Sequence, residues 1–253
     1  MTRPITDNAL AIEGLVKIYP RADRPALDGL TLNVARGNIF GLLGPNGAGK
    51  TTAISILCTL LRPTAGKVIV LGHDVVRQAD AIRRAIGLVP QEIALYPSLT
   101  ARENLRYFAR ILRIPGRNVE ARVAECLEMV GLSDCADRRI ATFSGGMKRR
   151  ANLAVGVLHE PEILFLDEPT VGIDAQSRNL ILERLAELNR AGMTIIYTTH
   201  YMEEAQQLCD EIAIIDAGKV IAQGLPTQLV ADADGCANLE ELFLALTGKQ
   251  LRD

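Results

Sequence analysis

Tryptophan is absent from this 253-residue chain, and phenylalanine and tyrosine number five each. The 48% hydrophobic share is therefore mainly aliphatic, and it is enough to bury a sizeable core. No excess of one charge is present either: Lys plus Arg is 28 against 30 Asp plus Glu, a formal net charge of -2. That balance gives no electrostatic ground for a long nucleic-acid footprint, so no nucleic-acid partner is expected. Local pairs such as Arg83-Arg84, Arg138-Arg139 and Lys148-Arg149-Arg150 read as solvated helix faces. Long hydrophobic runs are missing, since no window reaches the ~18 uncharged apolar residues of a spanning helix. Any membrane role is then indirect, through a partner that spans. The stretch from Met1 to Asn8 is short and polar, unlike a signal peptide. The five cysteines (Cys58, Cys126, Cys135, Cys209 and Cys236) form no C-x-x-C pair. They predict reduced, mostly buried thiols in a cytosolic protein, not a disulfide framework or a zinc site. No internal repeat or low-complexity tract is present.

What is present centres on Gly44-Pro45-Asn46-Gly47-Ala48-Gly49-Lys50-Thr51, which fits G-x-x-x-x-G-K-[ST]. The apolar stretch 38–43 ahead of it reads as a buried strand. Behind it, Ala53, Ile54, Ile56, Leu57, Leu60 and Leu61 recur at helical spacing. Strand, glycine loop and helix together aim backbone N–H groups and a helix N-terminus at one spot, which favours an anion. Lys50 adds a positive charge for β- and γ-phosphates, the Thr51 hydroxyl suits Mg²⁺, and Thr52 reaches a neighbouring phosphate oxygen. The loop predicts a nucleoside triphosphate. With no Asn-Lys-x-Asp motif to read guanine, a GTPase is the weaker reading.

Around this loop the pattern alternates strand and helix, which predicts an α/β fold with a mainly parallel sheet. Residues 9–19 and 27–34 read as strands of an antiparallel layer ahead of the phosphate-binding core. Tyr19 in that layer is either an apolar strand residue or a platform for an adenine ring. Residues 67–71 and 86–89 predict strands, with a short helix over 78–84 between them. From 92 to 160 only helical patterns occur, so this stretch reads as a helical insertion. The core resumes with strands at 163–166, 194–198 and 212–215, helices at 179–189 and 202–208, and a hairpin through Asp216-Ala217-Gly218. We therefore expect a core of residues 9–91 and 161–225, the insertion, and a tail over 226–253. One amphipathic helix is expected in the tail, with Leu239, Leu242, Phe243 and Leu246 on a face and Gly248 as its stop.

Chemistry gathers at the ends of these strands. Asp167 and Glu168 follow a continuous apolar strand, at the carboxyl end where open α/β sheets bind ligands. Asp167 suits the Mg²⁺ sphere through water, and Glu168 suits the water that attacks a γ-phosphate. Gln91, at another strand end, reads either as a polar cap or as a contact to the metal or the attacking water. His200 ends the strand beside Asp167 and can reach a γ-phosphate. Ser144-Gly145-Gly146 opens an apolar-faced helix with Ser144 as N-cap, a second anion-receiving helix start in the same chain.

In this order, these residues resemble the ATP-binding subunits of ABC transporters over almost the whole chain. Gly44 to Thr52 resembles Walker A, Gln91 the Q-loop glutamine, and Phe143-Ser144-Gly145-Gly146-Met147 the signature motif. Ile163 to Glu168 is similar to Walker B with its catalytic glutamate. Val171-Gly172-Ile173-Asp174 resembles the D-loop, His200 the switch histidine and Tyr19 the aromatic A-loop residue. The resemblance implies a RecA-like P-loop core and a Mg²⁺-dependent ATPase, with Thr51, Gln91 and Asp167 around the metal. It also implies a head-to-tail pair of chains holding two ATP molecules between the P-loop of one and the Ser144-Gly145-Gly146 helix start of the other. An integral membrane permease would dock on the insertion, at the cytoplasmic face of the membrane. Met147 and Phe143 stand where Gln and Leu are common, and Gly172 where a small polar residue is common. These changes, the run Met147-Lys148-Arg149-Arg150 and the stretch 238–248 look like the ABC-2 exporter branch, and most like daunorubicin-type drug-resistance ATPases. The alternative is a soluble ABC-type ATPase with a mechanical or regulatory role. Such proteins usually carry two cassettes or long coiled coils, whereas this chain has one cassette and no sustained heptads.

Overall fold

A computed structural model describes residues 8–233 and 235–248. The polar N-terminal residues 1–7 and the last five residues of the expected tail, 249–253, lie outside them. Three strands, β3 (Ile39–Leu43), β7 (Ile163–Asp167) and β8 (Thr194–Thr199), are buried at every position. Such unbroken apolar runs belong to strands covered on both faces. They lie in a six-stranded sheet with β6 (Ile86–Val89), β9 (Glu211–Asp216) and β10 (Lys219–Gly224), in the order β10-β9-β3-β8-β7-β6. All neighbours are parallel except the hairpin β9–β10.

Side chains along these strands alternate between two cores, as the period of two requires. Phe40, Leu42, Ile163, Phe165 and Ile196 face one core, whereas Ile39, Leu43, Leu164, Leu166 and Tyr197 face the other. The first core is closed by an antiparallel sheet of β2 (Leu27–Ala35), β1 (Asn8–Lys17), β4 (Ala65–Val70) and β5 (His73–Asp74), in that order. The strand expected at 67–71 thus joins the antiparallel layer by pairing with β1. The short β5 gave no signal of its own.

The second core holds the insertion. Its helices are α3 (Ala101–Ile111), α4 (Gly116–Met129) and α5 (Gly145–Gly156). Residues 92–160 contain only an isolated bridge between Thr100 and Arg139, so the expected lack of strands holds. Thr100 starts α3 through a reciprocal capping box with Glu103. Leu105, Val123, Leu127 and Leu153 join Leu164 and Tyr197 of the sheet in one apolar cluster.

Elsewhere the elements differ in extent from the pattern. The P-loop helix α1 (Lys50–Leu57) stops before Leu60, which is 64% exposed. Thr59 turns the chain out at φ 61, so the apolar period outlasts the helix. Helices α2 (Ala79–Ala85), α6 (Ala175–Arg190) and α7 (Met202–Leu208) match their predicted places within a few residues. Among the described residues the tail holds α8 (Pro226–Ala231) ahead of the expected amphipathic helix, α9 (Leu239–Thr247). Proline at the first position of α8 presets its φ, a start signal that the apolar pattern did not weigh. In α9, Leu239, Leu242 and Phe243 are buried while Leu246 is not, and Gly248 ends the helix in the left-handed region.

In the basic run at 148–150, Arg149 and Arg150 are not solvated charges. Arg149 donates to the carbonyls of Gln91 and Val171, and Arg150 to those of Val130 and Gly131. These guanidinium groups tie α5 to loops whose carbonyls need donors. The five cysteines are free; Cys58, Cys126 and Cys209 are buried, and burial pushes the Cys126 thiol up to about 11.

Candidate active site

Because β3, β6, β7 and β8 are parallel, the residues after their carboxyl ends emerge on one edge of the sheet. Those residues are the phosphate loop, Gln91, Glu168 and His200. A cavity of about 490 Å³ forms there, lined by Ala26, Pro45, Asn46, Gly47, Gly49, Lys50, Thr51, Thr52, Gln91 and Glu168. A larger groove, about 1090 Å³, lies between α2, the α3–α4 turn and the end of α5, and shares none of these residues.

The loop's shape depends on glycine. Gly49 sits at φ 108, and a Cβ there would lie 2.6 Å from the Ala26 carbonyl oxygen. Only glycine lets α1 start against the β2 entry with its N–H groups turned to the cavity. Lys50 is 5% exposed, and its Nζ donates to the carbonyls of Gly44 at 2.7 Å and Pro45 at 3.3 Å. The same Nζ lies 3.0 Å from Glu168 Oε1. A buried ion pair of this kind is tolerated only because both partners are present.

Glu168 is the meeting point. Gln91 Nε2 donates to its Oε2 at 3.4 Å, and His200 Nδ1 lies 3.3 Å from Oε2, close but without hydrogen-bond alignment. Glu168 adopts φ 48, a left-handed conformation that costs a side-chain-bearing residue energy and clusters at functional sites. Its N–H is held by the Thr198 carbonyl at 3.2 Å and the Thr198 hydroxyl at 3.0 Å. That hydroxyl in turn donates to Asp167 Oδ1 at 2.8 Å. Thr198 therefore fixes the Asp167 side chain and the Glu168 backbone. Its one signal in the sequence is the polar pair Thr198-Thr199 that ends the strand.

Tyr19 lies beyond the end of β1 and is 38% exposed, so it is not a strand residue. Its hydroxyl is 3.2 Å from Thr52 Oγ1, which puts its ring beside the phosphate loop. Ser144 caps α5, accepting from Met147 N at 3.2 Å. Neither Ser144, Gly145 nor Gly146 lines the phosphate-loop cavity. Gly146 instead packs on the start of α6, where a Cβ would stand 2.1 Å from Ser177 Oγ. Asp174 caps that helix by accepting from Ser177 N at 2.8 Å. Gly172, the departure in the D-loop pattern, adopts φ 76, a conformation that glycine takes without strain.

The site meets the needs of Mg²⁺–ATP. Among the described residues no group of three His, Cys, Asp or Glu could hold a metal by itself. Magnesium does not need one, because it is held by one or two protein groups together with the substrate's phosphates.

Parallel core, phosphate loop and converging Gln91, Glu168 and His200 define a P-loop ATPase, and the chain belongs to the ABC transporter family, whose model matches residues 27–171. It is 47% identical over 231 residues to the daunorubicin resistance ATP-binding protein DrrA3 of Streptomyces coeruleorubidus, covering 91% of this chain and 72% of that protein. It is 47% identical over 226 residues to the linearmycin resistance ATP-binding protein LnrL of Bacillus subtilis, covering 89% and 72%. Among solved structures, it superimposes with a TM-score of 0.78 and 28% identity on a dimeric ATP-binding cassette in a post-hydrolysis state with ADP and Pi, over 85% of this chain and 98% of that one. The chain is thus an ATP-binding, Mg²⁺-dependent ATPase of this family.

Proposed function

We propose that this chain powers a membrane exporter of the ABC-2 type as a head-to-tail pair that closes over two ATP molecules. The observation that carries the reading is the separation of two anion-receiving helix starts. The α1 start lines the cavity with Lys50, Gln91 and Glu168, while the α5 start stands outside it. A second copy brings its own Ser144, Gly145 and Gly146 to the nucleotide held by the first. The dimeric cassette that this fold matches supports such a pairing.

Within each half-site the geometry and the family resemblance support these roles. Tyr19 offers a face to the adenine. Backbone N–H groups from Gly44 to Lys50 and the Thr52 hydroxyl take phosphate oxygens, and Lys50 balances the β- and γ-phosphates. Thr51 and Gln91 would hold the magnesium directly and Asp167 through water; bound there, it would supply positive charge against the nucleotide's phosphates. Glu168 draws a proton from the attacking water as its oxygen bonds to the γ-phosphorus and the bond to ADP breaks. His200 holds the γ-phosphate group in line. Asp174 and the D-loop border the partner's site.

Among the described residues no helix is long and apolar enough to cross a membrane; in this reading force passes to a spanning permease. We place that permease on the helical insertion (92–160) at the cytoplasmic face. Tyr96, Tyr107 and Ile111 there are 45%, 40% and 57% exposed, and the two tyrosine rings meet at 4.9 Å. The drug-resistance names of the relatives make a drug or other hydrophobic compound the proposed cargo.

The test combines two variants. With Mg²⁺–ATP, Glu168→Gln should run as a dimer in size exclusion, bind ATP and lose turnover by roughly a hundredfold or more. Adding Ser144→Arg should return it to a monomer that still binds ATP. A Glu168→Gln chain that stays monomeric with ATP would overturn the shared site. Recovery from membranes without any multi-span partner would favour the soluble alternative.

A further inference from the structure

Glu204, in the first turn of α7, is a 3% exposed acid that the chemistry above leaves unused. Burying a carboxyl group is costly unless its oxygens find partners, so its surroundings report what it does. Its Oε2 accepts three hydrogen bonds, from Tyr197 at 2.7 Å, Thr170 at 2.9 Å and Thr199 at 3.0 Å. Its Oε1 lies 3.4 Å from Arg178 Nε on α6. Tyr197 remains a protonated donor, because burial and the nearby Glu204 charge push its phenol well above the ordinary range.

Two of these partners flank the groups assigned to hydrolysis. Thr170 follows Glu168 by two residues across Pro169. Thr199 immediately precedes His200, and its hydroxyl also accepts from Tyr201 N at 2.9 Å, so both neighbours of His200 are fixed. The Tyr201 ring packs on His200 at 4.2 Å and carries the Arg178 guanidinium at 5.2 Å. Arg178 rises from the first turn of the helix that Asp174 caps.

The geometry points to Glu204 as a positioning residue that fixes His200 and Glu168 relative to each other and ties both to the start of α6. This rests on the proposed roles of His200 and Glu168 in hydrolysis. One carboxylate oxygen shared by two loops keeps the two groups at a set spacing, and displacements of about 1 Å in such arrangements cost up to a hundredfold in rate.

The test compares near-isosteric variants of the full chain by steady-state ATPase kinetics and melting temperature. Thr199→Val and Thr170→Val should lower kcat about tenfold or more and leave KM for ATP within about twofold. Tyr197→Phe removes a bond to the same oxygen from within β8; its hydroxyl also lies 3.2 Å from Thr170 Oγ1, which keeps its own bond to Glu204. This variant should lower the melting temperature and keep kcat within about twofold. Equal loss of kcat in all three, or wild-type kcat in both threonine variants, would overturn the inference. If Thr199→Val does not fold, Thr170→Val decides the matter against Tyr197→Phe. Glu168→Gln and His200→Ala run alongside and should lose turnover. If they keep it, the assigned roles fall and the inference with them. If they lose it while the threonine variants do not, only the inference falls.

Discussion

The starts of α1 and α5 are both helix N-termini preceded by glycine or serine, yet they are built differently. At α1, charge is concentrated and enclosed: Lys50 and Glu168 are each 5% exposed and touch at 3.0 Å. At α5, Ser144 and Gly145 are exposed, the first turn holds no acidic residue, and the buried Gly146 is spent on packing against Ser177. One start carries the chemistry, and the other offers open backbone donors. A helix N-terminus attracts an anion in either case, but only the first has groups that can act on it. On the proposed reading, the difference explains how one fold can bind ATP alone and still need a second copy to complete the site.

The sharpest way to break the comparison is to remove the charge at α1. Lys50→Ala strands the Glu168 carboxylate in a buried setting, which should cost about 3–5 kcal/mol of stability besides abolishing phosphate binding. Adding Glu168→Gln to Lys50→Ala removes the stranded charge and should recover a large part of that loss. Chemical denaturation of the single and double variants reads the difference. Equal stability would show that the pair is not coupled in the way its geometry implies.

Much of the α1 half was legible in the sequence, because its signals are local. The phosphate loop, the apolar run into Asp167 and Glu168, and the terminal His200 each stand in a contiguous stretch, and parallel pairing brings them together. The helical character of 92–160 was legible from period alone. What could not be read depends on partners distant in sequence. Arg149 looked like a solvated charge because nothing nearby shows that the carbonyls of Gln91 and Val171 await it. Glu204 drew no reading from the sequence, since its three hydroxyl partners come from β8 and the loop after β7. The helix start at Ser144 was legible as an anion-receiving cap, but that Gly146 also makes room for Ser177 was not.

That last point gives a smaller break, on the α5 side. Gly146→Ala places a Cβ 2.6 Å from Ser177 Cβ, a clash that backbone movement must relieve. Overpacking of this kind should cost about 1–3 kcal/mol. Ser177→Gly in the same chain should restore most of it, read as melting temperature. If Gly146→Ala melts like the wild type, α5 is not seated on α6 as described.

The smallest effect concerns the exposed cap beneath that seat. Backbone and side-chain hydrogen bonds from Ser177 hold the Asp174 carboxyl below its ordinary range. A carboxyl group whose folded pKa is depressed binds its proton more readily in the unfolded chain. Its contribution to stability is therefore complete above the unfolded pKa and is lost as pH falls through the folded one. Asp174→Asn keeps an acceptor for the Ser177 N–H, since asparagine caps about as well as aspartate. The variant should match the wild type in stability near acidic pH and lose part of its dependence on pH across the carboxylate range. Melting curves taken from neutral to acid pH for the two proteins test this. Parallel curves would mean that Asp174 holds α6 no differently when charged, leaving the D-loop side of the α5 seat to packing alone.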